Sequence, residues 1–342
     1  MTDTDDRSIA DVRRKMLSPK RIAIQILGFL IGLAFVIYLV KLAFYGEADW
    51  SRIREASPWL IAGLLLTGLL GTVLDGLVFW GIMRPYHKLG VMEVQGANMT
   101  ASFLNYAPVR LGTVFRIIFH ATVDRIALIP IFGWFAAITV TTLACMASVV
   151  CATLITGGPG VWWLFLLGCM LLMSGILIWF IARLPVVEKH GRGIDRMFGD
   201  PRALIAGLAG RLMVLASGCL RMAIAAEILG IPLGVSEVIL LSVAALMLSF
   251  NPLGRFGWRE ATVTMVTAQF AASSLGGENV QEIAAQLALI ESAGEALVVV
   301  PLGIVTSIWA TRRIARSRSK VNSTSSPEES GEDRRQVSDS EA

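Results

Sequence analysis

Long apolar runs separated by short polar breaks organise this chain. Runs near 22–44, 59–83, 126–156, 161–181, 203–229 and 283–310 each reach the ~18 residues at which an apolar segment reads as a membrane span. Two stretches depart from this pattern. Residues 91–125 and 235–273 are interrupted near their centres, by "NYAPVRLGTVFR" and by "SFNPLGRFGWRE". Proline and glycine end a helix, and the backbone groups they free must face protein or water rather than lipid. Each stretch therefore predicts a re-entrant helical hairpin, with breaks at Pro108 and Gly112 and at Pro252, Gly254 and Gly257.

Basic residues orient the arrangement. Arg13, Arg14, Lys15, Lys20 and Arg21 precede the first span, and "ATRRIARSRSK" follows the last. Lys and Arg concentrate on the cytoplasmic side, so both termini are expected in the cytoplasm and the number of crossings is even. Eight full crossings would put "RPYHK" and "HATVDR" on opposite faces. Six crossings plus two hairpins place the basic segments 84–88, 116–125 and 183–202 inside. They leave "GGPG" and "SSLGGENVQE", which lack Lys and Arg, outside. The second arrangement satisfies the charge rule better.

An internal repeat refines it. "LIAGL" occurs at 60–64 and 204–208, "LGVMEV" at 89–94 answers "LGVSEV" at 233–238, and Pro108 answers Pro252, all offset by 144 residues. The unit is span, span, hairpin, span. Three crossings is an odd number, so the two copies must be inverted, as in many transporters. The expected fold is an all-α polytopic membrane protein of two inverted repeats, each of three spans plus one re-entrant hairpin. Its parts are a polar cytoplasmic segment (1–20), a first membrane repeat (21–157), a second (158–312) and a disordered cytoplasmic tail (313–342).

Composition agrees with a membrane location. The 342 residues are 55% apolar and 16% charged, against about 25% charged in soluble domains. Mean hydropathy is +0.66. The first run has no small-residue cleavage site after it and reads as a retained span. The net charge of +4 comes partly from the flanks. Anionic lipid headgroups are therefore the expected partner, and nucleic acid is not. The four cysteines lie in apolar runs as packing residues, and the three histidines are scattered. No metal or other cofactor is expected. Trp50, Trp59, Trp162, Trp163 and Trp309 lie near span ends and read as interfacial anchors.

The candidate chemistry lies in the hairpins. The 144-residue offset aligns Arg116 with Glu260, which are expected to lie near one another, as a salt bridge between repeats or as part of a polar pocket. Asn105, Arg110, Arg116, Asn251, Arg255, Arg259 and Glu260 are the candidate headgroup-binding residues, with guanidiniums suited to a lipid phosphate. One of Arg110, Arg255 or Arg259 would remain free to meet it. Glu291 and Glu295 lie one helical turn apart within the last span and share a face. With Asp75 they are candidates for an intramembrane relay, or for hydrogen bonds across helices, as are Arg211 and Arg221.

In these residues the chain resembles the lysylphosphatidylglycerol synthase transmembrane-region family, over roughly residues 20–312. The family's first hairpin pattern is matched by Asn105, Pro108, Gly112 and Arg116, with Thr113 where Glu is usual. Its second is matched loosely by Pro252, Gly254, Gly257 and Glu260, with Arg255 and Phe256 departing. The resemblance implies a stand-alone flippase-like membrane region without the soluble synthase domain, in the plasma (inner) membrane. The implied function is binding or moving an anionic phospholipid or lipid-linked envelope precursor, without covalent catalysis. A membrane-embedded enzyme acting on a lipid, and an accessory subunit working with envelope-synthesis proteins, are the alternatives.

Overall fold

The computed structural model describes residues 19–45, 54–107, 111–190, 193–247, 257–275 and 280–324. Pro108, Arg110, Asn251, Pro252, Gly254 and Arg255 lie outside the described residues, as do Trp50 and segment 1–18. The described residues form α1 (Pro19–Tyr45), α2 (Pro58–Met83), α3 (Val91–Leu104), α4 (Leu111–Thr122), α5 (Leu128–Thr156) and α6 (Val161–Ala182). They continue with α7 (Pro185–His190), α8 (Ile194–Gly199), α9 (Pro201–Leu229), α10 (Val235–Met247), α11 (Trp258–Leu275) and α12 (Val280–Thr324). Six of these helices, α1, α2, α5, α6, α9 and α12, are long and apolar enough to cross a membrane. They coincide with the six predicted runs.

Two boundaries differ from expectation. The basic loop 183–202 contains α7 and α8, and Met197 and Phe198 of α8 are buried in the core formed by α2, α5 and α9. Helix α12 runs on to Thr324, so the tail boundary expected at 312 falls inside a helix. Arg313 of this extension pairs with Glu93, and Ser317 donates to the Thr122 carbonyl at 2.9 Å. These contacts hold a polar segment helical where composition alone predicts no order.

Helix α2 packs along α9 at the centre of the molecule. Both begin with the same device, a capping side chain followed by proline: Ser57-Pro58 and Asp200-Pro201. The pair is antiparallel, because the contacts descend α9 as they ascend α2. Gly63 meets Ile224, Ser217 donates to the Thr67 carbonyl at 2.8 Å, Asp75 meets Arg211, and Val78 meets Gly210. Around this pair, α1 packs on α12 and α6 packs on α5, so each half's first span lies against the other half's last.

The two short helix pairs occupy equivalent places in the order. Helix α3 runs back along α2, held by side-chain donors to backbone carbonyls: Trp80 Nε1 to Leu89 at 3.0 Å, Gln95 to Val73 at 2.7 Å and Asn98 to Thr72 at 3.1 Å. Helix α4 then reverses against α3. A Cβ at Gly112 would overlap the Ala101 carbonyl oxygen, so glycine permits this approach. With 14 and 12 residues, α3 and α4 are about 21 and 18 Å long, shorter than a ~30 Å hydrocarbon core.

The second pair, α10 and α11, is anchored by α1. Gly257 has φ 82°, and a side chain there would overlap the backbone of Gly32. The indole of Trp258 donates to the Gly28 carbonyl at 3.2 Å and meets Phe35 edge-on at 5.5 Å. Of the tryptophans expected at the membrane surface, Trp59 and Trp162 are exposed. Trp163 instead donates to Thr153 at 3.0 Å, and Trp309 packs on Phe119 at 5.8 Å.

Candidate functional site

A cavity of about 390 Å³ opens between α2, α5 and α9 and the two short helix pairs. Its lining includes Asp75, Arg116, Arg211, Arg221, Arg259, Glu291 and Glu295. Apart from Asp75, whose side chain is 25% exposed, these residues are between 2% and 9% exposed. Seven ionisable groups in an apolar helical bundle are costly unless paired or used.

They form two clusters. In the first, Asp75 of α2 accepts from Arg211 of α9 at 2.6 Å and faces Arg116 of α4 at 3.8 Å. Arg116 also donates to the Asn98 side-chain oxygen, and its guanidinium lies 3.9 Å from the centre of the Phe79 ring. Asn98 thus ties α3 to α2 with its amide and orients Arg116 with its oxygen. Ser102, Asn105 and Thr113 complete the lining on this hairpin.

In the second cluster, Arg221 of α9 and Arg259 of α11 share both carboxylates of α12. Arg221 donates to Glu291 and Glu295 at 2.7 and 2.8 Å. Arg259 donates to Glu291 and, at 3.1 Å, to Glu295. Among the described residues, two charges of each sign form a network across three helices. Charge-assisted bonds of this kind are stronger than neutral ones, and the mutual pairing offsets their desolvation.

One sequence expectation is corrected. Arg116 and Glu260 do not pair with one another: Arg116 turns to Asp75 and Asn98. Glu260 accepts from the Gly257 backbone at 2.7 Å and from the Ser292 hydroxyl. It reaches back over the first turn of α11 as a capping-box carboxylate does, and the helix N-terminus favours its charge. A repeat offset equates positions in two halves. It does not bring them into contact unless they lie at the axis relating the halves. Of the three arginines of which one was expected to remain free, Arg259 is engaged by both carboxylates, and Arg110 and Arg255 lie outside the described residues. Asp75, Glu291 and Glu295 prove to be ion-pair partners joining helices.

Of the other candidates, Asn105 lines the cavity, Gly112 lies in the first turn of α4, and Gly257 precedes α11 with φ 82°. Arg110, Asn251 and Arg255, and the breaks at Pro108, Pro252 and Gly254, lie outside the described residues. Asn98, Ser292 and Phe79 were not singled out from the sequence. Gln95 and Asn98 share a helical face in an apolar stretch, the one signal available for Asn98.

These features define a class, a multi-span α-helical membrane protein whose spans and short helix pairs enclose a charged cavity. The family model described as the lysylphosphatidylglycerol synthase TM region matches residues 25–277, and the chain belongs to that family. No curated protein and no solved structure matches it.

Proposed function

We propose that this protein binds the polar headgroup of an anionic membrane phospholipid or lipid-linked envelope precursor in the cavity and moves it across the plasma (inner) membrane. The observation that carries this reading is the cavity itself, charged and arginine-rich within a bundle of apolar spans. A headgroup crossing the hydrocarbon core needs such a polar path, whereas the acyl chains can remain in lipid. Family membership supports a lipid-related role. The reading assigns binding and movement, without covalent chemistry.

The proposed scaffold is two inverted repeats, each of three spans and one re-entrant hairpin, with both termini cytoplasmic. The antiparallel α2–α9 pair supports inversion, because these are equivalent spans of the two halves. The short arms of α3 and α4, reversing on one another, support re-entry. Alternating access would follow from one half rocking against the other around the cavity.

The test is movement of a labelled anionic phospholipid in vesicles reconstituted with the full chain, read as loss of fluorescence to an impermeant quencher. Faster inward or outward exchange than in protein-free vesicles is expected. Equal rates for vesicles with and without protein would refute transport.

A further inference from the structure

We propose that the cavity selects a headgroup with a single net negative charge, a phosphodiester, and holds it at the Asp75 end between Arg116 and Arg211. The inference rests on the reading of the cavity as a lipid-headgroup site, and it starts from charge. In the Glu291 cluster, two guanidiniums face two carboxylates. In the Asp75 cluster, one carboxylate serves two guanidiniums. Among the described lining residues, the second arrangement leaves one positive charge in excess.

Among the described residues, nothing nearby cancels it. Asn98 and Phe79 offer Arg116 an amide oxygen and a ring face, which are neutral. Glu260 is turned to the start of α11 and is not among the lining residues. Among the described residues, Arg116 and Arg211, like Arg259, each also keep a buried Nε–H without an acceptor. An uncompensated buried charge is unfavourable, and a bound anion relieves it.

The surroundings fit a phosphate ester. Guanidiniums bind phosphate oxygens through charged hydrogen bonds. Thr113 lies one turn before Arg116 on α4, and Ser102 and Asn105 add polar groups from the same hairpin. An excess of one charge matches a phosphodiester. A phosphomonoester carries about 1.5–2 negative charges at pH 7 and would be undercompensated. A zwitterionic headgroup nets zero and would leave the excess in place.

The experiment is native mass spectrometry of the purified full chain against three lipids with identical acyl chains. They are phosphatidylglycerol, a monoanionic diester; phosphatidic acid, a monoester; and phosphatidylcholine, a zwitterion. Phosphatidylglycerol should bind best and phosphatidylcholine about tenfold or more weaker, the worth of one charged contact. Arg211→Gln lowers the site charge by one and should erase the lead of phosphatidylglycerol over phosphatidylcholine. Asp75→Asn raises it by one and should move the preference toward phosphatidic acid. A purely structural role would weaken all three lipids together.

Wild-type preference for phosphatidic acid or phosphatidylcholine would overturn the proposal, and this ranking needs no variant to fold. An unchanged order in both variants would overturn it equally. Soluble glycerophosphoglycerol distinguishes the source of the phosphodiester and is expected to compete only at far higher concentration. Equal competition would leave charge selection standing and refute the lipid reading. Binding of none of the lipids would refute both.

Discussion

Glu291→Gln removes one negative charge from the buried network with almost no change of shape. Glu291 is 2% exposed and accepts from both Arg221 and Arg259. After the substitution, Glu295 alone faces two guanidiniums. Breaking a buried pair by removing one partner costs about 3–5 kcal/mol, because the remaining charge is uncompensated. At about 2 °C per kcal/mol for a large chain, the unfolding midpoint should fall by ~6–10 °C. Among the described residues, adding Arg221→Gln restores the charge balance of the network. The double variant should therefore be more stable than the sum of the two losses predicts, by about 1–3 kcal/mol. The assay is thermal unfolding in detergent, followed by size-exclusion chromatography of the wild type, the two single variants and the double variant. Strict additivity would show that the four side chains do not act as one electrostatic unit and would refute the reasoning.

Three further outcomes are expected. Gly257→Ala should lower the yield of folded protein, because φ 82° and the contact with the Gly32 backbone both exclude a side chain; a wild-type elution profile and midpoint would contradict the packing of α1 on α11. Glu260→Gln should cost about 0.5–2 kcal/mol, the worth of a helix cap, seen as a small midpoint shift, whereas a loss as large as that of Glu291→Gln would mean a larger electrostatic role. With all native cysteines replaced, a cysteine at His87 should label only from the cytoplasmic side and one at Gly160 only from outside, and outside labelling at position 87 would sink the hairpin topology.

The six spans were legible in the sequence because hydropathy responds to a local property, the length of an apolar run set against the thickness of a bilayer. The interruptions between α3 and α4 and between α10 and α11 were legible for a similar reason, since helix termination is written in neighbouring residues. The 144-residue offset between matching segments is the sequence basis of the proposed repeat. Pairing was not legible. Arg116 found Asp75 and Asn98, and Arg259 found two carboxylates of α12, across helices far apart in the chain. Charge partners are chosen by which helix faces meet, and hydropathy and repeat offset say nothing of helix rotation. The capping role of Glu260 was written locally, in Gly257 and the three-residue spacing, but the repeat register pointed elsewhere. The extension of α12 to Thr324 likewise depended on contacts with Glu93 and Thr122, which only the folded hairpin brings alongside it. Sequence alone determined which segments form helices long and apolar enough to cross a membrane. Tertiary structure decided which charges pair and, among the described residues, where one is left over, because Coulomb interaction and desolvation depend on distances set by packing.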